Sequence, residues 1–130
     1  EQFADLQLLR YKVYGFEELS LKQKELIYYL SQAALQGRDI LFDQNGKYNL
    51  LIRKMLETVY TEYQGDRTDV NFVNLETYLK HIWFSNGIHH HYASDKFVPG
   101  FTPEFLRDAL NSVDALKLPF RVKGNSGSNL

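Results

Sequence analysis

The chain has 130 residues, 44% of them hydrophobic and 24% charged, with a formal net charge of −1. That length lets one domain bury a real core, and the composition is that of an ordinary soluble globular protein. Opposite charges are interspersed without a basic stripe, which excludes the electrostatic footprint of a nucleic-acid binder. No apolar run approaches the roughly 20 residues of a membrane span. With no cysteine, disulfides, thiolate catalysis and Cys-based zinc sites are excluded as well.

Residues 1–14 (EQFADLQLLRYKVY) carry two periodicities. Phe3, Leu6, Leu9 and Val13 fit a helical stripe, whereas Leu6, Leu8 and Arg10 alternate as on a strand. The expectation is an extended or short helical opening, broken at Gly15. Glu1 stands where a methionine would begin a complete chain, so the start reads as cut from something longer.

Ser20 and Gln23 form a capping box that opens the first clear helix. Leu26, Tyr29, Leu30, Ala33 and Ala34 recur at helical spacing, and Ile27, Tyr28 and Leu35 make the opposite face apolar too. A helix apolar all round is expected to be buried on most sides. Gly37 interrupts it, and Ile40, Leu41 and Phe42 add a further turn before Asn45-Gly46, a strong turn signal.

A third segment places Ile52, Met55, Leu56, Val59, Tyr60 and Tyr63 on one stripe, with Arg53, Lys54, Glu57, Thr58 and Glu62 facing away. Arg53 and Glu57 are spaced for an i,i+4 ion pair. After Gly65 and a polar loop, Leu75, Tyr78, Leu79, Ile82 and Trp83 predict another amphipathic helix ending near Asn86-Gly87. Thr102-Pro103-Glu104 supplies a cap, a proline at the first helical position and an acidic residue for the dipole. Phe105, Leu106, Ala109, Leu110 and Val113 form the stripe that follows. No convincing pair of strands and no internal repeat is visible. The fold class expected is all-α, an irregular bundle of four to five helices over residues 1–116. Residues 117–130, which end in the Gly-, Ser- and Asn-rich KGNSGSNL, read as a flexible tail or linker.

The conspicuous motif is SNGIHHHY, residues 85–92. Three imidazoles invite a metal reading, but catalytic zinc on a helix uses His at i and i+4 with a nearby carboxylate. Adjacent His in a loop diverge, so at most His89 and His91 share a face; His81 lies on the preceding helix with no acidic ligand in register. The reading preferred is a non-metal loop whose histidines pack or hydrogen-bond near a cleft. Residues 43–46 (DQNG) fail as a calcium loop, because glycine falls fourth and the twelfth position is Lys54. They read as a helix–helix turn. Gly37, Gly46 and Gly65 are isolated and make no phosphate loop. Glu17, Glu18 and Glu57 read as surface carboxylates, and Tyr28, Tyr29, Tyr60, Tyr63 and Trp83 as packing residues.

Residues 3–60 and the stretch YLKHIWFSNGIHHHYASDKFVPGF resemble the N-terminal region of bacterial dipeptidyl peptidase III. The similarity covers roughly residues 2–110, and NGIHHHY followed by KFVPGF is its most specific part. The resemblance implies a two-lobed zinc metallopeptidase that removes dipeptides from peptide N-termini, in a mostly cytoplasmic family. That family's zinc motifs, HExxGH and EExxA(E/D), are both absent here: no His-Glu pair occurs, and Glu17-Glu18 is followed by Leu-Ser-Leu. No catalytic role carries over to any residue, and zinc is expected in the parent enzyme but not in this fragment.

The partners implied are the remainder of the peptidase chain and its peptide substrate, with neither nucleic acid nor membrane. The loop of Asn86, His89, His90, His91 and Tyr92 is the candidate lining of the substrate cleft, against the plainer role of packing on a neighbouring lobe. Two other function classes stand beside the fragment reading. One is an independent helical interaction module with one bounded groove; the other is a His-loop metal protein.

Overall fold

The computed structural model describes residues 2–120, so residues 121–130 of the expected tail lie outside the description. Two-residue strands β1 (Gln2–Phe3) and β2 (Leu6–Gln7) open the chain as an antiparallel hairpin, with Phe3 opposite Leu6. A short 3₁₀ turn, Phe16–Glu18, follows. Five α-helices come next: α1 (Leu21–Gln36), α2 (Arg38–Gln44), α3 (Asn49–Glu62), α4 (Val70–Ser85) and α5 (Pro103–Ser112). The class is mostly helical, as expected. The hairpin is the exception to the expectation of no strand pair, its alternation of Phe3 and Leu6 being too short to separate from a helical stripe by sequence.

Caps fall where the sequence places them. Ser20 and Gln23 make a reciprocal capping box on α1, and the Thr102 hydroxyl accepts from the Phe105 N–H at the start of α5. Gly37 separates α1 from α2, and Asn86 closes α4 in the left-handed conformation at φ 54°.

The core is built from α2 to α5. Phe42, Leu56, Val59, Leu75, Leu79, Ile82 and Ala109 form its buried centre, flanked by Met55, Tyr60, Tyr63, Tyr78, Trp83 and Phe105. The Tyr60 and Tyr63 rings both stack on Phe72, and the Arg67 guanidinium lies over Tyr60 and Phe72. Past α5, Leu118 is buried and the Lys117 ammonium reaches the Glu62 carboxylate at 2.6 Å.

One expectation fails plainly: α1 is not buried. It has no buried residue, and Leu21, Leu26, Ile27, Tyr28, Tyr29, Leu30 and Leu35 are 40–72% exposed. Tyr28 and Tyr29 therefore pack on each other, ring centroids 5.4 Å apart, and not in the core. Apolar periodicity states that a face needs cover; it does not state that the same chain supplies it.

The polar side of α3 also departs from expectation. The Arg53 side chain is only 12% exposed and bridges Asp39 at 2.7 Å and Glu57 at 3.2 Å, while its guanidinium lies over the Phe42 ring. Glu57 is no plain surface carboxylate, because it also accepts from the Trp83 indole N–H at 2.7 Å. These contacts tie α2, α3 and α4 together across a half-wet seam.

Hydrogen bonds from Lys54 and then Arg53 hold the Asp39 carboxyl below its ordinary pKa of 3.8. A depressed carboxylate pKa stabilises the fold above the unfolded value, and the contribution is lost as pH falls through the folded one. Asp39 is well exposed, so solvent screening leaves the pair worth at most about 1 kcal/mol. Asp39→Asn is expected to lower stability by that small amount at pH 7. The difference from wild type closes in acid below the ordinary Asp range, as read by urea titrations across pH.

Candidate functional site

Three helix ends and the loop that carries the histidine run build one cavity of about 490 Å³. Asn45 closes α2, Asn49 opens α3, and Ser85 and Asn86 end α4; Gly87, His89, His90, His91, Ala93 and Ser94 form the remaining wall. Of the residues singled out by sequence, Asn86, His89, His90 and His91 line this space together. Tyr92 does not: it is 73% exposed and lies edge-on to His91, with centroids 4.5 Å apart.

Local hydrogen bonds explain the loop's shape. Asn86 turns left-handed, which Asn tolerates better than most residues, and this lets both its own N–H and that of Gly87 return to the Ile82 carbonyl. The chain then runs as a narrow bend in which His89 faces Lys96 across a single antiparallel bridge. Phe97 N–H donates to the Ile88 carbonyl at 2.9 Å, and His90 N–H to that of Asp95 at 2.9 Å. Phe97 is the pivot of the ring cluster, stacked on His81 at 4.7 Å and tilted against His90 at 4.2 Å. His91 packs edge-on against Phe84 at 5.2 Å. The reading of these histidines as packing groups near a cleft thus has a geometric counterpart.

Asn49 is the residue that sequence reasoning missed. It is 2% exposed although polar, and its Oδ1 accepts from the Ile88 N–H at 3.3 Å, tying the start of α3 to the loop. Gly87 makes that approach possible: a Cβ there would stand 2.4 Å from Asn49 Nδ2. The Asn45 amide donates to the Asn86 carbonyl at 3.2 Å from the same side. Ser85, 7% exposed, completes the floor. Asn49 itself carried no sequence signal; Asn45-Gly46 and Asn86-Gly87 mark a turn and a helix end, and neither names a partner about 40 residues away.

No acidic side chain is among the cavity's lining residues, so it lacks the carboxylate that would bind a peptide's terminal ammonium directly. Among the described residues no group of three or more His, Asp or Glu side chains is placed to hold a metal ion. No helix of the described residues is long and apolar enough to cross a membrane. No family model matches the chain, and no curated protein matches it either.

Proposed function

We propose that this chain is a helical scaffold segment of a larger two-lobed zinc dipeptidyl peptidase, inert by itself, whose α1 packs against the remainder of the enzyme. The zinc chemistry and its ligands belong to the sequence beyond this segment, and the loop of residues 86–92 contributes a wall of the substrate cleft. The family resemblance rests on NGIHHHY and KFVPGF.

The observation that carries the scaffold reading is α1. Its exposed side chains Leu26, Ile27, Tyr28, Tyr29 and Leu30 run round the helix, and Leu9, Tyr11, Val13 and Tyr14 extend the apolar surface along the preceding segment. A self-contained interaction module would gather such residues into one bounded groove. Apolar exposure of this extent calls for a covering partner.

Sedimentation velocity tests it. The wild-type chain is expected to self-associate with rising concentration through α1. Leu26→Glu combined with Leu30→Lys adds an i,i+4 pair of favourable order, and is expected to give a monomer whose stability changes by no more than about 0.5 kcal/mol. A wild-type chain that stays monomeric at all concentrations would favour the interaction module. Zinc-dependent hydrolysis of a fluorogenic dipeptidyl arylamide by this chain alone would overturn the scaffold assignment.

A further inference from the structure

We propose that the cavity between the start of α3 and the histidine loop is an oxyanion site, built to take the carboxylate or phosphate group of a small ligand. The inference stands on the cavity alone and holds whether the chain is a peptidase segment or an independent module.

Unmet hydrogen-bonding capacity is the first ground. Asn49 Nδ2 and Ser85 Oγ are both closed from solvent and have no hydrogen-bond partner, although such groups are normally satisfied when buried. The orientation of the Asn49 amide is set by its other atom: Oδ1 takes the Ile88 N–H, so the free atom is the donor. The missing partner must therefore be an acceptor.

Shape is the second ground. Gly46 and Gly87 flank the free amide, and a Cβ on either would stand 3.0 Å or 2.4 Å from Nδ2. Any side chain at residue 87 would collide with this donor. The cavity of about 490 Å³ beside it is the size of a small-molecule pocket.

Electrostatics is the third ground. The three imidazoles on the wall each carry a ring N–H, and no carboxylate lines the space. Asn49 begins the 14-residue α3, so the positive end of that dipole lies at the cavity. The C-terminal ends of α2 and α4 also reach it, where Asn45 N–H bonds the Leu41 carbonyl, Gly87 N–H that of Ile82, and the Asn45 amide that of Asn86. The buried side-chain nitrogen left without a partner at this wall is the Asn49 donor.

The test is a ¹⁵N–¹H NMR titration of the chain with millimolar inorganic phosphate and, separately, acetate. Saturable shifts are expected at the Asn49 side-chain amide and at the backbone amides of Ile88, His89 and His90. Saturation by phosphate alone identifies a phosphate-type site, and saturation by acetate identifies a carboxylate site. Asn49→Asp keeps the acceptor for Ile88 and puts negative charge where the anion binds, so affinity should fall at least tenfold. Should that variant not fold, Ser85→Ala and His89→Ala are expected to weaken binding several-fold each. Absence of saturable shifts with both anions overturns the proposal, since the buried donors would then be served by water. Unchanged binding in a folded Asn49→Asp chain overturns it too.

Discussion

Leu79→Ala is expected to remove about 3 kcal/mol of stability and to lower the melting temperature by about 10 °C, whereas Leu26→Ala changes either quantity little. The two positions carry the same residue type within helices of equal length, yet Leu79 is fully buried and Leu26 is 58% exposed. Truncating Leu79 leaves a hole at the meeting of α3, α4 and α5, bordered by core residues that cannot collapse inward without losing their own contacts. With total stability of a small domain typically about 5–15 kcal/mol, such a loss consumes a large share of it. Trp83 sits at the edge of this core, its indole bonded to Glu57 and edge-on to Tyr60, so its fluorescence reports the transition in urea. Equal losses at the two positions would mean that α1 is packed in solution as firmly as α4.

Gly87→Ala is the second substitution expected to act strongly. The added methyl would meet Asn49 Nδ2 at 2.4 Å and Cγ at 2.9 Å, well inside contact distance, and Asn49 is itself buried at the root of α3. Either the amide leaves its place and the Ile88 N–H loses its acceptor, or the loop lifts away from α4 and Asn45 loses the Asn86 carbonyl. Overpacking of this kind costs about 1–3 kcal/mol. Beyond the stability loss, the Ile88 amide resonance is expected to move and amide exchange across residues 86–91 to accelerate. A Gly87→Ala chain with wild-type stability and an unmoved Ile88 amide would show that the close approach of loop and helix is not required.

The helices themselves were legible in the sequence because their signals are local. A capping box needs only Ser20 and Gln23, and the α3 and α4 stripes need only the 3.6-residue period. Arg53 and Glu57 announced their ion pair by spacing alone. The hairpin at the amino end escaped because two-residue strands leave no period to count. Arg53 and Glu57 were expected to face solvent, and the third partners that draw them inward, Phe42 and Trp83, come from other helices.

The candidate site divides along the same line. The histidine run drew attention as a sequence, and its clustering with Asn86 beside a cleft followed from one turn and one helix end. Asn49 carried no signal and Ser85 only headed the histidine motif, since a polar residue near a helix end is ordinary until the packing of α3 against α4 buries it.

Sequence by itself determined where this chain bends, which faces of its helices are apolar, and that a polar, imidazole-rich loop follows α4. Tertiary structure alone decided that α1 goes uncovered while α2 to α5 close around Leu56, Leu75 and Leu79, and that Gly87 brings the loop against Asn49. The reason is physical: backbone propensity and periodicity act over a few residues, whereas burial and hydrogen-bond satisfaction depend on which distant surfaces meet. An apolar stripe records the need for a partner, and the partner is found in space.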